Sequence, residues 1–272
     1  MPERIDHVII AGPQLEALED IFARLDFVIV GGGAHPHLGT RNRVIILGEG
    51  YIELLAIADA ARVSPALRQR IASGVAWVGH ALQSDDIEAE ARAMRARGVD
   101  ARGPTAGRLV APYGSARSWR VVTIGTDDLW AAALPLPFLI QHDSVGEAHR
   151  RELAGADRLT PHPNGARRLL GVTLTTPDLD ALRDRYERAF SLTPASSPQP
   201  SPRSARFALA GGAEWIHLEQ AGQATMLVRV SAPDLALVER MASAAGLACA
   251  PADDALLVSL PDGAMLEFAV AP

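Results

Sequence analysis

Apolar residues in this chain recur in short blocks whose period alternates between two and about 3.6 residues, and the alternation itself repeats. Ile5 to Ile10 reads as a strand, Gly12-Pro13 interrupts it, and Leu15, Leu18, Phe22 and Leu25 then recur at three- and four-residue spacing. That spacing predicts one buried face of a helix from Leu15 to Leu25. A strand over Phe27 to Val30 follows, then a loop rich in Gly and His. Two further strands, Arg43 to Leu47 and Tyr51 to Ile57, are parted by the turn Gly48-Glu49-Gly50. The order is β-α-β-β-β.

The same order returns three more times. Val75 to Gln83 is a strand, Asp85-Asp86 supplies a helix cap, and the helix Ile87 to Arg97 stops at Gly98. Strands are expected around Leu109, at Trp119 to Ile124 and at Phe138 to His142. A third copy opens with Leu169 to Thr175, caps at Asp178, runs as a helix from Leu179 to Phe190 and ends in Trp215 to Glu219. A fourth has Met226 to Val230, a cap at Asp234, the helix Leu235 to Ala245, and strands at Leu256 to Leu260 and Met265 to Val270. Two stretches read as connectors. Asp143 to Ala166 is polar, and Pro194 to Ser204 is so rich in Pro and Ser that it reads as a mobile loop or an extended linker. A doubly wound nucleotide fold is excluded, because one helix per three strands is too few. Gly31-Gly32-Gly33 lacks the strand-to-helix setting of a phosphate loop and reads as a flexible turn.

Composition narrows the class. The chain has 272 residues, of which 48% are hydrophobic and 21% charged, with a net charge of −6. This allows a large core and argues against a nucleic-acid surface. A single cysteine, Cys249, excludes an intramolecular disulfide or a cysteine-built metal cage. With no signal-peptide pattern and no apolar run near the roughly 20 residues of a membrane span, a cytoplasmic protein of bacterial type is expected, with no membrane partner.

Asp6-His7-Val8 and Gly50-Tyr51-Ile52-Glu53-Leu54-Leu55, set in this order of elements, resemble the vicinal-oxygen-chelate superfamily. The runs His35-Pro36-His37-Leu38-Gly39-Thr40-Arg41-Asn42, Pro137-Phe138-Leu139-Ile140-Gln141 and His162-Pro163-Asn164-Gly165-Ala166 are similar to its glyoxalase-like domain family, over roughly residues 4 to 180. The resemblance implies an α+β fold of tandem βαβββ modules, four copies forming two cup-shaped, mixed but mostly antiparallel sheets with helices outside. The boundaries expected are 1–145 for the first domain, 146–167 for the connector and 168–272 for a second, degenerate domain. It further implies a divalent ion (Fe, Mn, Ni or Zn) held by ligands on the first and last strands of each module. That ion leaves open positions for a substrate with neighbouring oxygens.

Counting back from each helix, the first-strand ligand positions are His7, Gly79, Gly171 and Leu227. His80 falls one residue out of step and so faces the other way. The last-strand positions are Glu53, Gln141, His217 and Glu267. Pairing of the first module with the second gives His7, Glu53 and Gln141; pairing with the fourth gives His7, Glu53 and Glu267. Glu53, between Ile52 and Leu54, needs a partner or a groove, and it doubles as the catalytic base. His7 reads equally as a ligand or a hydrogen-bonded core histidine. His217 reads as a solvated residue before a second site with Glu267, and His142 and His149 as facing water. His35, His37, Thr40 and Asn42 are expected to bind substrate or, for Thr40 and Asn42, to hold a turn. Arg120 reads as an anion clamp or as the partner of Asp127 or Asp128.

The expected function is a metal-assisted lyase, isomerase or dioxygenase acting on a small oxygen-rich substrate, in a monomer or homodimer. A metal-free binder of the bleomycin-resistance type is the alternative. An extradiol-type dioxygenase is disfavoured by Gly171 and Leu227.

Overall fold

The computed structural model describes residues 2–110, 116–125, 128–195 and 202–271. The first module consists of β1 (Ile5–Gly12), α1 (Leu15–Arg24), β2 (Val30–His35), β3 (Thr40–Leu47) and β4 (Gly50–Ile57), with a short α2 (Pro65–Arg70) after it. The second has β5 (Ala76–Gln83), α3 (Ile87–Ala96), β6 (Ala101–Val110), β7 (Ala116–Ile124) and β8 (Phe138–His142), and α4 (Gly146–Ala154) leads away from it. The third contributes β9 (Leu169–Thr176), α5 (Leu179–Phe190), β10 (Ser204–Ala208) and β11 (Trp215–Gln220). The fourth contributes β12 (Thr225–Ser231), α6 (Leu235–Ala244), β13 (Cys249–Ala252), β14 (Ala255–Ser259) and β15 (Met265–Ala269).

Modules pair in sequence. The first two close into a barrel of order β1-β4-β3-β2-β6-β7-β8-β5, and the last two form an open sheet of order β10-β11-β9-β12-β15-β14-β13. Each βα crossover makes its first and last strands parallel, as in β1 with β4 and β9 with β11, while neighbouring modules meet through antiparallel β1–β5 and β9–β12. Glu267 therefore lies in the other sheet from His7. The arrangement that would have joined them is not adopted.

The helices form where the periodicity places them. Leu15, Leu18, Ile21 and Phe22 bury one stripe of α1, and full burial of each such side chain contributes about 1.5–3 kcal/mol. Asp86, Asp178 and Asp234 cap α3, α5 and α6, each carboxylate accepting the backbone N–H of Ala89, Ala181 or Leu237. On the barrel the helix-facing side chains, such as Val8, Ile10, Ile52 and Leu54, join the core shared with the second sheet. Ile9, Ala11 and Leu55 face the other way, onto Leu67 of α2. Period two thus divides each strand into an outer apolar face and an inner face. Among the described residues no helix is long and apolar enough to cross a membrane.

Three expectations are corrected. The second strand runs from Val30 to His35 rather than over Phe27 to Val30, because Phe27 is drawn into the core against Phe22 and Phe268 and the Val28 N–H goes to His162 Nδ1 at 2.9 Å. Gly31-Gly32-Gly33 is not a loose turn but part of this strand, with a pairing shift between Val30 and Gly33. Gly32 has φ +87°, and a Cβ there would lie 2.0 Å from the Asn42 carbonyl oxygen. The triplet permits a close strand approach that no larger residue allows. The polar connector contains α4, whose Leu153 and Ala154 pack on Val30, Val44 and Tyr51. Residues 196–201 of the Pro- and Ser-rich stretch lie outside the described residues.

Two polar contacts tie the halves together. Asn164, 1% exposed, donates to the Leu25 carbonyl at 2.7 Å and accepts the Ala166 N–H at 2.9 Å. Replacement of Asn164 by Ala leaves that carbonyl and that N–H buried without partners; a loss of about 1–3 kcal/mol in chemical denaturation is expected.

Glu214, between β10 and β11, accepts the Ile5 N–H at 2.6 Å across the two halves. Burial pushes its carboxyl up to about 7 against the opposing pull of that N–H and of Arg4. With the folded pKa raised above the unfolded one, this group's stabilising contribution is complete below the ordinary carboxylate range and lost as pH rises through about 7. The melting temperature of wild type should fall relative to Glu214→Gln between pH 5 and pH 8, by about 2–4 °C per kcal/mol. Parallel melting curves across that range would contradict the assignment.

Candidate active site

Part of the barrel interior, between the apolar clusters at α2 and α4, is polar, and the strand register explains how. In the parallel β1–β4 pair His7 lies opposite Tyr51 and Ile9 opposite Glu53, so His7 and Glu53 are diagonal neighbours on one face. Their side chains converge, His7 Nε2 standing 3.7 Å from Glu53 Oε2. The imidazole stacks on the Tyr51 ring, with centroids 4.7 Å apart, and meets the Phe138 ring edge-on. These contacts leave it one plane.

A bulge then places a second acid inside. The β1–β5 register slips between Ile5 and His7, and the extra residue, Asp6, shares the interior with His7 instead of alternating away from it. Asp6 Oδ1 lies 2.6 Å from His7 Nδ1 and 3.2 Å from His142 Nε2. Burial alone would raise the Asp6 carboxyl, but the charge and hydrogen bond of His142 and those of His7 outweigh it and hold Asp6 well below the usual carboxylate range. An ionised Asp6 can only accept, so the Nδ1 proton of His7 points to it and Nε2 is the nitrogen turned toward Glu53.

Glu53, 8% exposed, is held from its other side. Asn42 Nδ2 donates to Oε1 at 2.5 Å, and the Asn42 carbonyl accepts the Gly33 N–H at 2.9 Å, which fixes the amide's orientation. Oε2 is the atom left facing His7. His35 Nδ1 and Thr40 Oγ1 are 3.1 Å apart on the adjoining β2–β3 ladder. Burial lowers the His35 pKa against the pull of Glu53. His37 is exposed in the turn between these strands and is not brought to the site.

Gln141 is also not brought there. On β8 it faces outward, where Oε1 accepts the Ile87 N–H at the start of α3 and a bond from Arg120 at 2.7 Å. Arg120 is half-exposed, pairs with Glu88 on α3 at 3.7 Å and so stands on the helix side of β7. The interior residues of these strands are their odd-parity neighbours, Arg117, Trp119 and His142. His80, opposite Val8, is buried on the outer face. Its pKa is pushed down to about 3, chiefly by burial. Glu267 pairs with Arg229 at 3.5 Å in the second sheet, and His217 is half-buried there beside Trp215.

His142 and His149 do not face water. His149, on α4, is 5% exposed, and its ring centroid is 4.0 Å from that of His142. Ser144 Oγ donates its one hydrogen to Glu152 Oε2 at 2.5 Å, so its 3.3 Å contact with His149 requires Nδ1 to be the donor. His149 Nε2 is then a bare lone pair, buried and without a partner. Burial, with the charge of His142, holds the His149 pKa near 3. Asp6, His142 and His149 bring three ligand atoms within 4.8 Å of one another. They border a cleft of about 110 Å³ that Gln83, Ser84 and Val145 complete. The larger surface cavity, about 350 Å³, lies between Ile46 and the connector residues Leu159 to His162 and contains none of the interior polar groups.

Sequence reasoning passed over Asp6, Arg117, His142 and His149. The Asp6 signal was present, an acid beside a histidine in an apolar strand, but strict alternation sent it outward.

Paired βαβββ modules closing round an imidazole–carboxylate interior define a protein of the vicinal-oxygen-chelate class. More narrowly, the chain belongs to the glyoxalase-like domain family, whose model matches residues 5–190. Among solved structures it is similar to a hypothetical protein from Staphylococcus aureus, with TM-score 0.72 and 15% identity over 97% of this chain and 98% of that one. It is also similar to a Mn(II)-bound glyoxalase from Novosphingobium aromaticivorans (TM-score 0.63, 12% identity, 99% and 82% covered). A third likeness is to a mutant of 4-hydroxymandelate synthase from Streptomyces coelicolor (TM-score 0.58, 14% identity, 98% and 92% covered). No curated protein matches the chain.

The Asn42–Glu53 bond makes a direct prediction. Asn42→Asp would set a second carboxylate against Glu53, and two like charges at that separation cannot both ionise without cost. The variant's deficit in melting temperature should be small near pH 4 and grow toward pH 8. A deficit independent of pH would show that Asn42 does not face an ionised Glu53.

Proposed function

We propose that this protein carries out metal-assisted chemistry on a small, oxygen-rich substrate inside the first barrel, with His7 and Glu53 as the ion's ligands. One observation carries this reading: His7 Nε2 and Glu53 Oε2 face each other at 3.7 Å while the far side of each group is already committed. A gap of that size spans two metal bonds of about 2.0–2.2 Å each. The carboxylate of Asp6 behind His7 is the outer partner that ligating imidazoles ordinarily have, setting the tautomer and raising ring basicity.

A divalent ion held there would polarise two neighbouring oxygens of the substrate and leave further positions open to it. The chain's own groups divide the remaining work. Tyr51 and Phe138 hold the His7 ring in its plane. Asn42 ties down Glu53 Oε1, so Oε2 is the oxygen that would hold the ion, and it can take a substrate proton only on leaving that ion. His35 and Thr40 offer donors along the same wall. Leu67 of α2 and Leu153 of α4 pack on the interior from two sides and keep water from the reacting atoms. The glyoxalase and the synthase among the similar structures act on oxygen-bearing small molecules by their names, which fits this class of chemistry without fixing the reaction.

A second seat for the ion has its own support in the bare Nε2 of His149 beside Asp6 and His142. Elemental analysis of protein purified without an affinity tag separates the two. Near-stoichiometric Fe, Mn, Ni or Zn in wild type is expected, lost in His7→Ala and Glu53→Gln and retained in His149→Ala. The reverse pattern would move the ion to the Asp6, His142 and His149 cluster. No metal in any variant, with unchanged melting temperatures for His7→Ala and Glu53→Gln, would leave a metal-free binding protein.

A further inference from the structure

Among the described residues, one charged side chain of the barrel interior has no hydrogen-bond or ion-pair partner. Arg117, opposite Leu109 in the β6–β7 ladder, is only 7% exposed. Among the described residues nothing accepts a hydrogen bond from its guanidinium, and no carboxylate forms an ion pair with it. Buried guanidinium groups are otherwise paired, because an uncompensated buried charge is costly and five N–H donors are left unmet.

The direction of the side chain is set by the groups that feel it. Its charge acts on His35, Tyr51 and His149, which lie on β2, β4 and α4 and all border the interior. Trp119 shares its face of β7, and the indole meets His35 and His142 at centroid distances of 6.5 and 6.3 Å. Arg117 therefore looks across the barrel toward the wall that carries Tyr51 and Glu53. Arg120, three residues on, points out to Gln141 and Glu88 because an odd step along a strand changes face.

Hydrogen bonding leaves the guanidinium as the open group. Asp6 is held by two imidazoles and Glu53 by the Asn42 amide, neither carboxylate forms an ion pair with Arg117, and the one positive charge stands open to one negative charge. A planar fork suits a carboxylate's two oxygens, and a phosphate dianion would bring a second charge toward Glu53. We infer that Arg117 anchors a carboxylate of the substrate, which makes the ligand of this barrel a small carboxylic acid with a further oxygen group reaching the His7–Glu53 pair. The inference rests on the reading of His7 and Glu53 as the reactive pair and adds the substrate class to it.

Trifluoroacetate and its neutral counterpart trifluoroacetamide test it by ¹⁹F NMR titration of the full chain, since both are small and bind metals poorly. Wild type should bind the anion about ten- to hundredfold more tightly than the amide. Arg117→Gln should abolish the preference, Arg117→Lys should keep part of it, and Arg120→Gln should leave it intact. Equal binding of the two probes by wild type would overturn the inference even if the Arg117 variants failed to fold. So would a preference that survives in folded Arg117→Gln. Glu53→Gln separates this from the metal reading: a variant that loses its metal and keeps the anion preference supports Arg117 whatever becomes of the ion. Absence of metal from wild type with the preference present would sink the metal reading alone.

Discussion

A fully buried carboxylate is tolerable only when its neighbours neutralise and hydrogen-bond it, and in this chain much of the first barrel is arranged around that demand at Asp6. His7, from the first module, and His142, from the second, both reach its Oδ1, so the same group that orients the His7 imidazole also ties together the two modules. The bulge that brings Asp6 inside sits at the β1–β5 junction where the modules meet. Module closure and site geometry are therefore one constraint. Without the bulge, Asp6 would turn toward the apolar layer under α1 and α3, and His7 would lose the contact that fixes its tautomer.

The repeat was legible because it is written in periods. Caps at Asp86, Asp178 and Asp234 and the apolar stripes of α1, α3 and α5 are local features, and so is the alternation that puts His7 and Glu53 on one face. What escaped was whatever depends on parity across a ladder or on tertiary packing. Gln141 and Arg120 carry suitable chemistry but sit one and three residues from the interior positions His142 and Arg117. A single strand without its neighbours does not show which parity points inward. The His149 position was hidden for another reason. Its helix, α4, is mostly polar and buries mainly Leu153 and Ala154 besides the histidine, so composition alone marks it as a connector. Gly31-Gly32-Gly33 misled in the opposite sense, since its glycines answer a close strand approach rather than freedom of a turn.

The second pair of modules shows what happens to this arrangement when its demand is removed. In β9 and β11 Gly171 stands opposite Trp215, as His7 stands opposite Tyr51, and His217 follows where Glu53 follows in the first module. Tyr51 stacks on an imidazole; Trp215 instead covers the glycine, and a Cβ at Gly171 would lie 2.6 Å from its indole. The indole thus fills the ligand position itself, and its outer surface is taken by the guanidinium of Arg206 at 4.6 Å. Arg229, the second guanidinium near this ring, is paired with Asp254 and Glu267. Two module pairs built on one plan have diverged in what completes them. The open sheet pairs Arg229 with two carboxylates and packs its apolar face into the common core. The closed barrel keeps the bare Nε2 of His149 and, among the described residues, a nearly buried guanidinium without a partner, and such groups persist against their cost where a ligand supplies the missing partner.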